Sequence, residues 1–153
     1  MKKLYLAHPF ATRFRVRDEI QPIIQYMFHD YQIENPFMRE GRENQKLFET
    51  ESNSEKEMAE ILNVDNRDQM IVENDIAQLE ACDILVAYID PEALSVGTAC
   101  EIFHMKWHLK RPVVILFDKD CDMAYHPFIN YLSTKIVFLD AYIREHNHIF
   151  INH

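Results

Sequence analysis

The sequence predicts one α/β domain built around a central, mostly parallel β-sheet, and three observations favour this fold class. Two nearly continuous apolar runs, at residues 83–89 and 113–117, are typical of strands that are covered on both faces. Segments with the 3.6-residue apolar period of helices lie between the strands, as in right-handed βαβ units. The chain has 153 residues, enough for one core but short for two, so we expect a single domain over residues 1–153.

The first half of the chain is predicted to carry a strand and an amphipathic helix. The strand covers residues 3–7, and the helix covers residues 13–31. Pro22 lies inside that helix and indicates a kink or a later start. Residues 35–37 end a short second strand or a loop. The polar stretch 39–66 is predicted to be a loop beside a site, with a short helix in it.

The second half of the chain alternates helices and strands more regularly. Helices are predicted at residues 67–81, 97–109 and 127–133, and strands at residues 83–89, 113–117 and 135–139. Residues 140–153 form a tail with an amphipathic start. Open parallel sheets bind ligands beyond the carboxyl ends of their strands, so the loops after residues 7, 89 and 117 are expected to border the site.

Composition excludes several classes of protein. The formal net charge is −9, which repels a phosphate backbone and argues against a nucleic-acid polymer as partner. There are only two glycines, so a glycine-rich phosphate loop is excluded. No apolar run approaches the roughly 18 residues of a membrane-spanning helix, and no secretory leader is recognisable. We therefore expect a cytoplasmic protein that does not bind a membrane.

Glu101 gives the strongest chemical signal. Gly97 lets the backbone turn sharply out of the loop at residues 90–96, and Glu101 then falls about one turn inside the next helix. The positive end of the helix dipole favours an ionised carboxylate there. Such a carboxylate, facing a cleft, is suited to attack the anomeric carbon of a sugar. The alternative is a glutamate that only stabilises the first turn of its helix.

Asp75 is the second candidate. It shares one face of the predicted helix 67–81 with Ile71 and Leu79. An aspartate on an apolar face needs either a partner or a raised pKa, and a raised pKa would suit a proton donor to a leaving base. The alternative is a capping or salt-bridged aspartate.

Four segments resemble the nucleoside 2-deoxyribosyltransferase family. They are Lys-Leu-Tyr-Leu-Ala-His-Pro-Phe from Lys3, Glu-Asn-Asp-Ile from Glu73, Ser-Val-Gly-Thr-Ala-Cys-Glu-Ile from Ser95, and Arg-Pro-Val-Val-Ile-Leu from Arg111. The resemblance extends from Lys3 to about Val137 and is diffuse over residues 39–66. It implies a flavodoxin-like three-layer α/β fold. It also implies an enzyme that acts on N-glycosidic bonds without a metal or an organic cofactor.

The resemblance also assigns roles to individual residues. Glu101 matches the family's nucleophile, which forms a covalent deoxyribosyl-enzyme; Asp75 matches the proton donor to the base, and Tyr5 the tyrosine that orients the nucleophile. The expected substrate-binding residues are His8, Phe10, Asn74, Ser95, Gly97 and Asn130. In the transferases an asparagine enters the site from a neighbouring subunit, and Asn130 matches it. The resemblance thus implies a homo-oligomer with shared active sites, and a deoxynucleoside or deoxynucleotide and a free nucleobase as substrates.

Two branches of the family remain open at this stage. The transferases carry an aspartate six residues before the nucleophile, where this chain has Ser95. A serine at that position resembles the nucleotide N-glycosidases, because it can donate a hydrogen bond to a 5′-phosphate that an aspartate would repel. Asn130 favours nucleoside transfer, whereas Ser95 leaves hydrolysis of deoxynucleoside 5′-monophosphates open. An alternative of another class is a non-catalytic nucleotide sensor on the same fold.

Two further groups of residues have a pattern that could bind a metal ion or a phosphate. His104 and His108 have the spacing of a metal pair on a helix, but they lack a third ligand, so ordinary surface or core histidines are expected. Arg13, Arg15 and Arg17 follow the first strand, where they could meet a phosphate. The favoured interpretation is a solvated helix face.

Overall fold

The computed structural model describes residues 1–93 and 95–147. Five strands within these ranges form one parallel sheet. The strands are β1 (Lys2–Ala7), β2 (Tyr31–Glu34), β3 (Ile84–Tyr88), β4 (Val113–Phe117) and β5 (Lys135–Phe138), in the order β2-β1-β3-β4-β5. This is the flavodoxin-like order, and it confirms the predicted fold class. In the register of the sheet, Tyr5 of β1 pairs with Leu85 of β3 and with Glu34 of β2.

Helices connect the strands on both faces of the sheet. Helix α1 consists of Arg13–Arg15, a π-helical turn at Val16–Ile20, and Gln21–Met27. The others are α2 (Arg42–Glu49), α3 (Glu55–Ile61), α4 (Arg67–Glu80), α5 (Val96–Phe103, extended by a π-helical turn at His104–His108), α6 (Pro127–Leu132) and α7 (Leu139–Glu145). Short 3₁₀ turns lie at Phe10–Thr12, Pro36–Met38 and Asp122–Tyr125.

Two apolar layers hold the domain together, one on each face of the sheet. Helices α4, α5 and α6 cover one face through residues such as Leu79, Ile102 and Leu132. Helices α1 and α7 cover the other, through residues such as Ile20 and Leu139. Every residue of β3 and of β4 is buried as a result, which explains why these two strands are continuously apolar.

The first helix is shorter than its periodicity predicts. It ends at Met27, and Tyr31 already belongs to β2. The apolar pattern continues from the helix into the strand without a break, so it does not reveal this boundary. Pro22 lies two residues beyond the π-helical turn. A proline lacks the N–H of a regular α-turn, so the widened turn ahead of it replaces the predicted kink.

The stretch 39–66 is more ordered than predicted. A loop containing one short helix was expected, but the structure has two helices here, α2 and α3. They enclose a small apolar cluster of their own. That cluster contains Leu47, Met58 and Leu62, together with Phe10. The sequence hides it because three of these residues are scattered among charged neighbours, and the fourth lies in a distant segment.

The remaining boundaries differ by a residue or two. Helix α5 begins at Val96 instead of residue 97, and β5 ends at Phe138, where α7 follows directly. Leu94, which falls in the predicted loop at 90–96, and residues 148–153, which fall in the predicted tail, lie outside the described residues.

Candidate active site

The carboxyl edge of the sheet gathers the predicted catalytic residues. Tyr5 lies in β1, Glu101 lies in the second turn of α5, and Asp75 lies in α4. Each of the three influences the ionisation of another, so they form one electrostatic group. This is the placement expected for parallel strands, whose carboxyl ends share one edge.

Tyr5 and Glu101 are the buried pair at the centre of the site. The Tyr5 side chain is 0% exposed, and its hydroxyl has no hydrogen-bond partner in the described part of the chain. The same holds for Oε2 of Glu101. The two groups are close enough for each to affect the pKa of the other. Buried polar atoms without partners are uncommon in folded proteins, so this pair marks a candidate site.

The environment of the Glu101 carboxyl group opposes the ionised state that its sequence position favours. Burial raises its pKa to about 8; the Tyr5 hydroxyl opposes this rise, while the negative charge of Asp75 adds to it. The first turn of α5 contains no acidic residue, because the helix begins at Val96 and Glu101 lies beyond the reach of its amino-terminal N–H groups. Loss of hydration therefore favours the protonated acid.

Asp75 is held by an arginine that sequence reasoning missed. Nη2 of Arg39 donates to Oδ1 of Asp75 at 2.8 Å and to Oε1 of Gln78 at 2.6 Å. Nε2 of Gln78 in turn donates to Glu34 of β2 at 3.3 Å. Burial raises the pKa of Asp75, and the Arg39 guanidinium opposes the rise. The salt-bridged alternative for Asp75 is therefore the one that the structure shows. The sequence feature that could have indicated Arg39 was its position shortly after the predicted second strand, at the start of the polar stretch 39–66.

Ser95 and Gly97 lie between Glu101 and the neighbouring loop. Ser95 is the N-cap of α5, and its hydroxyl accepts a hydrogen bond of 3.1 Å from the N–H of Thr98. A Cβ added at Gly97 would stand 3.9 Å from Ser95 Oγ and 3.9 Å from Glu101 Oε1. The absence of a side chain at Gly97 therefore leaves open the space between these two oxygens.

His8 and Phe10 belong to the packing beneath α2 and α3. Nδ1 of His8 lies 3.0 Å from the carbonyl of Pro9, and its Nε2 lies 3.1 Å from Oδ1 of Asn35. Burial lowers the pKa of His8 to about 4, so the ring is neutral at physiological pH. Phe10 is buried and stacks on the Arg13 guanidinium, 4.0 Å from its ring centroid. Both side chains are buried, and their substrate-binding roles stay predictions.

Asn74 and Asn130 are exposed and do not join the acidic group. Asn74 lies beside Asp75 on α4, but its side chain is open to solvent. Asn130 lies on α6, where its Nδ2 donates to the carbonyls of Ala124 and His126 of the same chain. A substrate-binding role for Asn130 within a single chain is therefore not visible, and a role in a neighbouring subunit stays a prediction.

The three arginines after β1 are not a phosphate site. The Arg13 side chain is 0% exposed and donates to the carbonyls of Phe10, Leu47, Thr50 and Ser52 and to Oδ1 of Asn53. Arg15 pairs with Asp118 and Glu19, and Arg17 pairs with Asp18. The predicted solvated helix face is wrong for Arg13, which organises the segment from Leu47 to Asn53.

Two cavities flank the acidic group, and Glu101 lines neither of them. The polar cavity, of about 340 Å³, is bordered by Arg39, Glu34, Gln78 and neighbouring residues at the end of β2. The apolar cavity, of about 310 Å³, lies between α5 and α6 and is bordered by Ser95, Thr98 and mostly apolar side chains. Tyr5 and Asp75 also line neither cavity, although Arg39, the partner of Asp75, lines the polar one.

No metal cluster or membrane span appears in the part of the chain that the structure describes. No group of three His, Cys, Asp or Glu side chains there could hold a metal ion. The rings of His104 and His108 stack on each other at 4.8 Å, and Nε2 of His104 lies 3.1 Å from Glu80. None of the described helices is both long enough and apolar enough to cross a bilayer.

A flavodoxin-like sheet with acidic side chains at its carboxyl edge is typical of α/β proteins that bind small molecules at that edge. The sequence profile of the nucleoside 2-deoxyribosyltransferases matches residues 4–152, so the chain belongs to that family. This confirms the resemblance seen in the sequence. Membership supports an enzyme of nucleoside deoxyribosyl transfer or a related activity, with small-molecule nucleosides and nucleobases as substrates.

Among solved structures, a 2-deoxyribosyltransferase from the psychrotolerant bacterium Bacillus psychrosaccharolyticus has the same fold. The two chains are 20% identical, with a TM-score of 0.54, over 88% of this chain and 85% of the other. No curated protein gives a significant match to this chain.

Proposed function

We propose that this protein transfers 2-deoxyribose between nucleobases by double displacement, through a covalent deoxyribosyl ester on Glu101. One observation carries the proposal. Tyr5 and Glu101 present buried polar atoms without partners beside Asp75, at the edge of the sheet where ligands bind. A purely structural carboxylate would be expected to have a partner at such a position.

The proposed reaction conserves charge and protons at each step. A carboxylate oxygen of Glu101 attacks C1′, the C1′–N bond breaks, and its electron pair leaves with the base, which takes a proton from Asp75. The second base then attacks C1′ and gives its N–H proton to Asp75, while the Glu101 carboxylate departs. Tyr5 holds Glu101 in place, and the ionised carboxylate stabilises the oxocarbenium-like transition state.

This scheme requires a proton to move before the chemistry begins. Burial raises the pKa of Glu101 to about 8, while Asp75 is paired with Arg39. The reactive state needs the reverse arrangement, with Glu101 ionised and Asp75 protonated. We propose that the bound base competes for Arg39 and leaves the effect of burial on Asp75 unopposed, so that the proton moves from Glu101 to Asp75 before C1′ is attacked.

The contacts of Ser95 and of the three arginines after β1 bear on the choice between nucleosides and nucleotides. Arg13, Arg15 and Arg17 all have partners within the chain, and the Ser95 hydroxyl already caps α5. These contacts favour a nucleoside as donor substrate. Hydrolysis of deoxynucleoside 5′-monophosphates is the second candidate, supported by Ser95 itself, which carries no charge that would repel a phosphate.

We further propose that the active site is shared between two copies of the chain. Asn130 lies on α6, near a surface formed by the exposed aromatic side chains of Phe103, Trp107, Phe128 and Tyr131, which we term the aromatic surface. Trp107 stacks on Phe103 at 5.7 Å and lies 6.1 Å from Tyr131. A contiguous exposed apolar surface is typical of a protein–protein interface, and a second copy on it would bring Asn130 near a site.

The test is a transfer assay with a chemical readout. The protein is incubated with thymidine and adenine, and then with each deoxynucleoside monophosphate alone. We expect 2′-deoxyadenosine from the first mixture. The peptide that contains Glu101 should gain the mass of one deoxyribosyl group when the second base is withheld. Glu101→Gln should abolish both signals, whereas Glu60→Gln, on the exposed side of α3, should leave them unchanged.

Other outcomes would redirect the proposal. Free base from a monophosphate, without transfer, would support the hydrolase instead. Tight nucleoside binding without any product would support a sensor. A fully active Glu101→Gln protein would refute the covalent mechanism.

A further inference from the structure

Glu34 and Gln78 connect the outermost strand of the sheet to the expected proton donor. Glu34 is the last residue of β2 and pairs in register with Tyr5 of β1. Register partners in a parallel sheet point to the same face, and Tyr5 packs on the face that α4 covers. The Glu34 side chain therefore points towards α4, which carries both Gln78 and Asp75.

Four side chains form one series of hydrogen bonds, which we term the edge network: Glu34, Gln78, Arg39 and Asp75. Nε2 of Gln78 donates to Oε2 of Glu34 at 3.3 Å. Oε1 of the same amide accepts from Nη2 of Arg39 at 2.6 Å, and Nη2 also donates to Oδ1 of Asp75 at 2.8 Å. All four side chains are partly buried, so water competes less for these contacts than it would at an open surface.

The amide of Gln78 fits the edge network in one orientation only. A glutamine amide has one acceptor atom and one donor group. If the amide were turned over, its NH2 group would face the Arg39 guanidinium, which only donates, and its oxygen would face the Glu34 carboxylate, which only accepts. The Glu34 carboxylate therefore fixes the orientation in which Gln78 can accept from Arg39.

Contacts on its other side hold Glu34 in place. Nζ of Lys3 lies 3.9 Å from Oε1 of Glu34, and Nε2 of Gln32 donates to the same oxygen at 3.0 Å. Oε2 is left to accept from Gln78. Burial raises the pKa of the nearby Cys82 thiol, and the negative charge of Glu34 adds to the rise. Glu34 therefore presents a fixed and charged acceptor to the edge network.

The two contacts of Nη2 of Arg39 have different parts in the proposed function, on which this inference rests for the role of Asp75. A base that takes the first contact, with Asp75, leaves the second contact with Gln78 intact. Arg39 then stays at the site as a hydrogen-bond donor while Asp75 is released. We infer that Gln78 and Glu34 are positioning residues, which hold the Arg39 guanidinium at the proton donor before and after a base displaces it from Asp75.

The test compares two substitutions that remove the same charge. Glu34→Gln keeps an acceptor oxygen for Gln78, whereas Glu34→Leu removes it. An NMR titration of the Asp75 carboxyl carbon should give a higher pKa in Glu34→Leu than in Glu34→Gln, because a loosely held Arg39 opposes the effect of burial less. The difference should be at least about a third of the rise that Arg39→Gln causes. Equal titrations of the two Glu34 variants would overturn the inference.

A second background shows whether Glu34 acts through Arg39. With Arg39→Gln already in place, the difference between Glu34→Leu and Glu34→Gln should vanish, because effects that run through one contact are not additive. Glu101 and Tyr5, the other titratable groups beside Asp75, are unchanged in every variant. The same difference in both backgrounds would overturn the inference, since Glu34 would then act on Asp75 directly.

The pH profile of transfer connects the edge network to activity. The pH above which kcat falls, as Asp75 loses its proton, should be higher in Glu34→Leu than in Glu34→Gln. Gln78→Leu should match Glu34→Leu, since each removes one contact of the network. The expected titrations in a protein that transfers no deoxyribose would support the positioning of Arg39 and refute the proposed function. An active transferase in which Gln78→Leu leaves the titration of Asp75 unchanged would refute the positioning alone.

Discussion

Nη2 of Arg39 donates a hydrogen bond of 2.8 Å to Oδ1 of Asp75, and so pairs the expected proton donor with a permanent cation. Both side chains are partly buried, which strengthens their mutual attraction relative to a pair in water. The guanidinium stabilises the carboxylate and opposes the effect of burial on the pKa of Asp75. We therefore expect Arg39 to act as a positioning residue that lowers the pKa of Asp75.

Arg39→Gln should raise the pKa of Asp75, because burial would then act without an opposing cation. A titration of the Asp75 carboxyl carbon by NMR measures this directly. Arg39→Lys keeps the charge and should produce a smaller rise. Identical titration curves for the wild type and Arg39→Gln would show that the ion pair does not control Asp75.

The raised pKa of Glu101 should appear in the pH dependence of stability. The folded-state pKa is about 8 and the unfolded value is 4.5, so the folded protein binds the extra proton between these pH values. The contribution of Glu101 to stability is therefore fully present below pH 4.5 and is lost as the pH rises towards 8. Relative to Glu101→Gln, the wild type should lose at most about 1.4 kcal/mol per pH unit in this window. Urea unfolding at pH 5 and pH 8 tests this, and parallel curves would contradict it.

Gly97→Ala should separate folding from activity. The added methyl group stands at ordinary contact distance from Ser95 Oγ and Glu101 Oε1, and alanine favours a helix by up to about 1 kcal/mol over glycine. Stability should therefore be kept or increased. The methyl group occupies the space where the sugar is expected, so kcat/KM should fall at least about tenfold. An active Gly97→Ala enzyme would mean that the sugar does not pass over this position.

Arg13→Met should destabilise the fold and should not affect phosphate binding. The change removes the donors of several buried backbone carbonyls, and we expect a loss of about 3–5 kcal/mol in the free energy of unfolding. Urea unfolding gives this value, and hydrogen exchange should locate the loss in α2 and α3. Arg17→Met is the control, since Arg17 contacts Asp18 at the surface. Equal stability of the two variants would contradict the structural role of Arg13.

Trp107→Glu tests the shared site. A charge in the aromatic surface should dissociate the proposed assembly, which sedimentation velocity would report as a smaller particle. Activity should fall with it and recover partly at high protein concentration. Val72→Glu makes the same change at an exposed position on α4 and should do neither. A monomeric wild type with full activity would refute the shared site.

Much of the fold was predictable because its signals are local. Strands β3 and β4 are buried on both faces of the sheet, so each is a continuous apolar run, and such a run can be recognised in the sequence. The boundary of α1 was not predictable, because Met27 and Tyr31 continue one apolar pattern across two elements. Helices α2 and α3 were missed because their apolar partners include Phe10, more than thirty positions earlier in the sequence.

By itself, the sequence determined the parallel sheet and the family. It also placed Ser95, Gly97 and Glu101 near the amino-terminal end of one helix. Strands and helix ends can be predicted because they depend on neighbours within a few residues. Only the tertiary structure decided the ionisation of Glu101 and the pairing of Arg39 with Asp75. Desolvation and charge pairing depend on which distant segments meet, and spacing along the chain does not report that.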